Sequence, residues 1–226
     1  MIHEATKEKR TNLSEQESKD FLRNYELPLP RFRLVKQRSH LPDVIAEIGF
    51  PCVMKCCGEQ ILHKTEYGLV KKAISNLDEA FNSFDELSAK IAGINNVGIL
   101  VEEMIESPRE LMAGLMRDEQ FGPCLMFGLG GIFTEVLKDT VFRVAPVSKD
   151  EAYRMLEQIR GSNILQDIRG LPAANMEKLS DILIKLGNIA LEQNKITEID
   201  LNPILLFGSD PVIADALVVY ASDTSF

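Results

Sequence analysis

The segment Glu198-Ile199-Asp200-Leu201-Asn202-Pro203-Ile204-Leu205-Leu206, answered by Val212-Ile213-Ala214-Asp215-Ala216, decides how this chain is read. Each half is an apolar run interrupted by hard oxygen donors. The turn Gly208-Ser209-Asp210-Pro211 between them predicts two neighbouring strands of one hairpin. That pairing brings Asp200, Asn202 and Asp215 to one end of a sheet. Carboxylate and amide oxygens in such a place suit Mg²⁺, which keeps most of its waters and takes few protein ligands beside phosphate oxygens. A turn-rich hairpin with solvated acids fits the same residues, so the choice depends on what precedes them.

Upstream, helical and strand patterns mix without strict alternation, which favours an α+β fold over a doubly wound sheet. Ser14-Glu15-Gln16-Glu17 is a capping box opening a helix over 14–25, through Phe21 and Leu22, before Pro28 and Pro30. Pro42-Asp43 begins a short helix. Phe50–Lys55, Leu69–Ile74 and Val97–Glu103 read as strands, and Asp78 as the cap of a helix carrying Phe81, Phe84, Leu87 and Ile91. Leu111–Arg117, Cys124–Leu129 and Thr140–Val144 are strand-like. Asp150 is expected to cap one helix, and a second follows Asn175.

Composition narrows the function classes. The 226 residues exceed the usual domain size, so one large domain or two lobes is expected. A net charge of −9 argues against a general nucleic-acid binder, but focused cations can still hold an anionic small ligand. No apolar run reaches membrane-spanning length, and the charged stretch 1–19 has no signal-peptide core. The chain is therefore expected in the cytoplasm, with no membrane partner. Cys52, Cys56, Cys57 and Cys124 lack the paired spacing of structural zinc and read as reduced, small buried residues.

Four further features carry chemistry. Lys55 closes an apolar strand, where an ammonium either rests on a phosphate or snorkels at a sheet edge. Val101-Glu102-Glu103-Met104 reads as a strand running into a hinge that can hold a purine. Gly128-Leu129-Gly130-Gly131 has neither P-loop nor dinucleotide-fold spacing, and suits a backbone approaching phosphate, a lid, or a hairpin turn. His63, in Ile61-Leu62-His63-Lys64-Thr65, is either a hydrogen-bonded core histidine or a nucleophile able to carry a phosphoryl group.

The order of these elements is more specific than any one of them. Pro51–Lys55, Ile61–Thr65, Val101–Met104, Glu110, Phe121-Gly122-Pro123, Met126–Asp139, Arg169-Gly170-Leu171-Pro172, Glu198–Pro203 and Asp215-Ala216 follow one another. This succession resembles the ATP-grasp domain of the ADP-forming acyl-CoA synthetases, relatives of the succinyl-CoA synthetase β subunit, from about Ser14 to Val219. The resemblance implies a single ATP-grasp domain, with one lobe over about 30–100 and another over about 101–226, enclosing ATP or ADP. It casts Lys55 as the phosphate lysine, Glu102, Glu103 and Met104 as the adenine hinge, and Glu110 as the ribose contact. Gly128, Gly130 and Gly131 would form the mobile phosphate-side loop, and Asn202 and Asp215 the Mg²⁺ ligands. In this family a histidine on the CoA-binding α part is phosphorylated, and the phosphoryl group moves to ADP. The resemblance casts His63 as a second station and Asp200 as the carboxylate facing the phosphorylated histidine.

Two departures flank His63. Gly68-Leu69 stands where the family usually has a double glycine, and Gly58-Glu59-Gln60 where it usually has Ser-Pro-Asp. The chain shows no CoA-binding segment, so a CoA-binding α subunit or fused α domain is expected as partner, making the active enzyme a hetero-oligomer in the first case. The short charged lead after Met1 favours a separate subunit. Two other functions fit the ATP-grasp pattern: a carboxylate–amine ligase, and a nucleotide-sensing domain of a fused acyltransferase.

Overall fold

The computed structural model describes residues 11–61, 64–131 and 139–221. These fall into two compact units. The N-terminal unit comprises Leu13–Asp20 and Pro30–Met104, and the C-terminal unit the remainder.

In the N-terminal unit, α1 (Glu15–Arg23, of which residues 15–20 belong here) opens on the predicted capping box. The Ser14 hydroxyl accepts from the Glu17 amide at 3.3 Å, and the Glu17 carboxylate accepts from the Ser14 amide at 2.9 Å. There follow β1 (Phe32–Val35), α2 (Leu41–Ile48), β2 (Cys52–Cys57), β3 (Val70–Ile74), α3 (Leu77–Lys90) and β4 (Gly98–Glu103). The strands form an antiparallel sheet in the order β1-β4-β2-β3. Because strand side chains alternate, Cys52, Met54 and Cys56 face Ile45, Ile48, Phe84 and Leu87 of the two helices. Each fully buried side chain such as Met54 or Leu87 contributes about 1.5–3 kcal/mol.

The opposite face of β2 is buried too, so all six of its residues are inside. There the first turn of α1 lies over the strand, the Gln16 amide donating to Cys57 Sγ at 3.4 Å. Cys56 and Cys57 thus point to opposite faces and share no site. Burial pushes the thiols of Cys52, Cys56 and Cys57 up to about 11, as inert core groups.

The C-terminal unit contains β5 (Glu110–Asp118), β6 (Gly122–Leu129), β7 (Thr140–Val144), α4 (Lys149–Gln158), α5 (Met176–Glu192), β8 (Ile196–Phe207), β9 (Asp210–Ile213) and β10 (Ala216–Tyr220). Its antiparallel sheet runs β10-β8-β5-β6-β7, with β9 on the far end of β8. Helix α5 packs on β5 and β6 through Leu179, Ile182, Leu183, Leu186 and Ile189, a stripe at helical spacing. The other face of the sheet carries Met116, Phe142 and Val144, each about half exposed.

Several sequence expectations shift. Helix α3 is capped by Asn76, whose side chain accepts from the Glu79 amide, and α4 by Ser148 in a capping box with Glu151. Asp78 and Asp150 sit inside the first turns, where their charge meets the positive end of the helix dipole. Asp210 and Pro211 belong to β9, with Phe207 paired to Asp210, so the hairpin turn is Gly208-Ser209 alone. Among the described residues no helix is long and apolar enough to cross a membrane.

Candidate functional site

Lys55 lies in the middle of β2, not at its end, and pairs in register with Leu100 and Val70. Its ammonium is 2.8 Å from Glu15 Oε1 and 2.6 Å from Glu102 Oε2. Lys19 bonds the same two carboxylates, at 2.8 Å to Glu15 Oε1, and sits over the Phe32 ring at 5.6 Å. Lys64 reaches Glu15 Oε2 at 2.8 Å. Glu15 therefore binds three ammonium groups from three parts of the unit, with its side chain 3% exposed. Burial alone would raise its carboxyl, but Lys19, Lys55 and Lys64 hold it well below the usual carboxylate range.

The same network claims one of the hinge glutamates. Glu102 turns inward to Lys19 and Lys55, while Glu103 reaches out to Arg31 at 3.1 Å. Both carboxylates are thus engaged within the protein, Glu102 by Lys19 and Lys55 and Glu103 by Arg31.

In the C-terminal unit the glycine segment divides. Gly128 is part of β6, opposite Thr140, and a Cβ there would stand 2.5 Å from the Asp139 carbonyl oxygen. The Gly130 amide donates to the Glu110 carbonyl at 2.8 Å, and a Cβ would press on Leu111. Gly128 therefore lies within the sheet, while Gly130 and Gly131 follow the end of β6 at Leu129. Gly131 has φ +62°, a conformation glycine adopts freely, and lies beneath the Glu110 carboxylate. Asp139 accepts the amides of Arg160 and Gly161, both at 2.7 Å, and so anchors the start of β7.

Strand β8 carries the acids. Leu217 pairs with Asp200 and Ala216 with Leu201, which sets Asn202 at the level of Asp215. A register shift against β5 falls at Asn202-Pro203, where an extra residue accommodates a proline that has no amide for the ladder. The connector returns to this point, with the Ala214 amide donating to the Pro203 carbonyl at 3.0 Å. Asp215 Oδ1 accepts from the Ala216 amide at 2.9 Å. The Asp200 carboxyl is pushed up to about 6, first by burial and then by Glu198 and Asp215. It borders a cavity of about 500 Å³ on the open sheet face, lined also by Met112, Gly114, Met116, Met126 and Glu198. This volume is in the range of small-molecule sites.

The structure thus brings Lys55 and Glu102 together in one unit, and Asp200, Asn202 and Asp215 together in the other. Glu110 joins Gly130 and Gly131. His63 and the 132–138 segment lie outside the described residues. Glu15, Lys19 and Lys64 were not singled out by sequence. Their one local signal, the Glu15–Lys19 spacing of four, ordinarily marks an exposed helix pair.

Two α+β units built on antiparallel sheets in this order define the ATP-grasp class, and a family model described as an ATP-grasp domain matches residues 4–219. The chain is 39% identical over 222 residues to the β subunit of acetate–CoA ligase [ADP-forming] I of Pyrococcus furiosus, covering 96% of each. It matches the dinucleotide forming acetyl-coenzyme A synthetase 1 of Ca. Korarchaeum cryptofilum, solved with coenzyme A, Ca-AMPCP and HgCl+, at a TM-score of 0.92 and 35% identity over 97% of this chain and 98% of that one. Another structure of that synthetase holds coenzyme A and Mg-AMPPCP, with its phosphohistidine segment pointing towards the nucleotide binding site. It matches at a TM-score of 0.87 and 34% identity, again over 97% and 98%. The chain belongs to the ATP-grasp family, on the branch of the ADP-forming acetate–CoA ligase β subunits.

Proposed function

We propose that this chain is the nucleotide-binding part of an ADP-forming acyl-CoA synthetase, moving a phosphoryl group between a phosphohistidine and ADP. The observation that carries the reading is the wall formed by Asp200, Asn202 and Asp215, where strand register gathers hard oxygens and one carboxyl is pushed to about 6 by burial, Glu198 and Asp215. Such a donor set fits the oxygen chemistry of Mg²⁺. Asn202 and Asp215 would hold the metal, which when bound supplies positive charge beside the phosphate oxygens.

The other roles follow from what each residue can do. Lys55 sets a fixed positive charge on the phosphates, and Glu102–Met104 hold the base through backbone. Glu110 takes the ribose hydroxyls. His63 is the proposed phosphoryl station: its P–N bond breaks as a P–O bond forms to the terminal ADP oxygen, and the ring nitrogen keeps the electron pair. Asp200 would accept a ring N–H of a phosphohistidine, as a carboxylate that holds an imidazole in one tautomer. A CoA-binding α subunit or fused α domain supplies acyl phosphate chemistry, in a cytoplasmic setting that suits four free cysteines.

The test is phosphorylation by labelled ATP with a matched α partner. Acid-labile, base-stable label on wild type that is lost in His63→Ala supports the relay. Equal label in both removes His63 from it. The chain alone is expected to bind Mg·ADP without making acyl-CoA, which an acyl-CoA assay checks.

A further inference from the structure

The Glu15 carboxylate is the hub of the N-terminal unit's buried charges, yet no step above uses it. It comes from α1, 40 positions before Lys55, and contacts Lys19, Lys55 and Lys64 through its two oxygens. Glu102 repeats half of that pattern from β4, contacting Lys19 and Lys55. Lys55 is thus clamped between carboxylates from two elements, with two further ammonium groups bound to the same carboxylates. Buried ammonium groups lose their protons readily unless carboxylates compensate the desolvation.

We propose that Glu15 is a positioning residue for nucleotide phosphate. It keeps Lys55 protonated and fixed in place, and it ties Lys64, the sequence neighbour of His63, to the same point. The inference rests on the assignment of Lys55 to the phosphates. Its physical content is a division of labour: Lys55 meets the ligand, while α1 sets the charge state of Lys55. Removing the Glu15 charge leaves Lys19 and Lys55 sharing Glu102 and the three ammonium groups repelling one another, with the Cys57 thiol offering no compensation. The ammonium of Lys55 then titrates nearer neutrality, and phosphate binding follows it.

The experiment is calorimetric titration of the whole chain with Mg·ADP at pH 7, 8 and 9, for wild type, Glu15→Gln, Glu15→Asp and Lys55→Met. Wild-type affinity is expected to stay nearly level across this window. In Glu15→Gln it should fall about tenfold per unit above the lowered lysine pKa, and Glu15→Asp should restore most of the level profile. A loss in Glu15→Gln that is the same at every pH shows a merely structural role and overturns the proposal. Should Glu15→Gln not fold, the wild type still decides. The ¹⁵Nζ resonances of Lys55 and Lys64 must then show charged ammonium up to pH 9, with that of Lys55 moving on Mg·ADP addition. Deprotonation of Lys55 in that range overturns the proposal. Unchanged binding by Lys55→Met instead overturns the phosphate assignment itself, leaving the two failures distinguishable.

Discussion

Glu15 is a buried carboxylate and Asp200 a half-buried one, both in candidate site regions, and their surroundings drive them in opposite directions. Glu15 faces three lysines and is held well below the ordinary range, so the N-terminal network is complete within the protein. Asp200 is pushed to about 6, first by burial and then by Glu198 and Asp215, so the C-terminal wall gathers like charges. The contrast teaches which carboxylate is compensated by the protein's own cations and which lies among acids. A buried network of opposite charges fixes side chains in place, whereas a cluster of like-charged oxygens carries a cost that a proton or a cation relieves.

The largest effect should come from breaking the N-terminal network. Glu15→Ala removes one of the two carboxylates that compensate its buried lysines and should cost about 3–5 kcal/mol in a denaturant titration. A loss under about 1 kcal/mol would mean the network is not buried in solution. Next in size is Gly128→Ala, whose Cβ would stand 2.5 Å from the Asp139 carbonyl oxygen, a backbone atom, and 2.7 Å from Thr140 Cγ2. About 1–3 kcal/mol is expected there, read by the same titration.

The pH dependence separates the two carboxylates by sign. The folded pKa of Glu15 lies below its ordinary 4.5, so its contribution is fully present above 4.5 and is lost as pH falls below that value. The folded pKa of Asp200, about 6, lies above 3.8, so folding is favoured most below 3.8 and weakens as pH rises to about 6. Asp200→Asn should remove that second slope and stabilise the protein by about 1–2 kcal/mol at pH 7.5, roughly a third to two-thirds of the ~3 kcal/mol the full shift implies. Thermal melts from pH 3.5 to 8 would show it, and an unchanged slope would assign the pH response elsewhere. The smallest effect belongs to the exposed Lys149–Glu177 pair at 2.7 Å, where Lys149→Ala should leave the melting temperature unmoved.

The parts legible in sequence were those with local causes. The helical stripe of α5 after Asn175 and the strand Thr140–Val144 follow from spacing alone. The α+β class followed from the mixed order of elements. The caps went wrong by two residues because Asn76 and Asp78, or Ser148 and Asp150, are rival acceptors at one helix start, and only geometry chooses between them. Strand β1 was missed because four residues on a sheet edge give too short an alternation. Strand β10 is an unbroken apolar run, Ala216–Tyr220, that was read only for the acid before it. The Glu15 network was illegible because its pairs are made across the fold, Lys19 to Glu102 spanning 83 positions.

The central proposal is that Lys55 and Asp215 each contribute to binding of a magnesium nucleotide. Calorimetry of Mg·ADP with wild type, Lys55→Met and Asp215→Asn tests it directly. The account predicts one binding site in wild type and at least about a tenfold loss of affinity, or 1.4 kcal/mol, in each folded variant. Equal affinity in all three chains would contradict it.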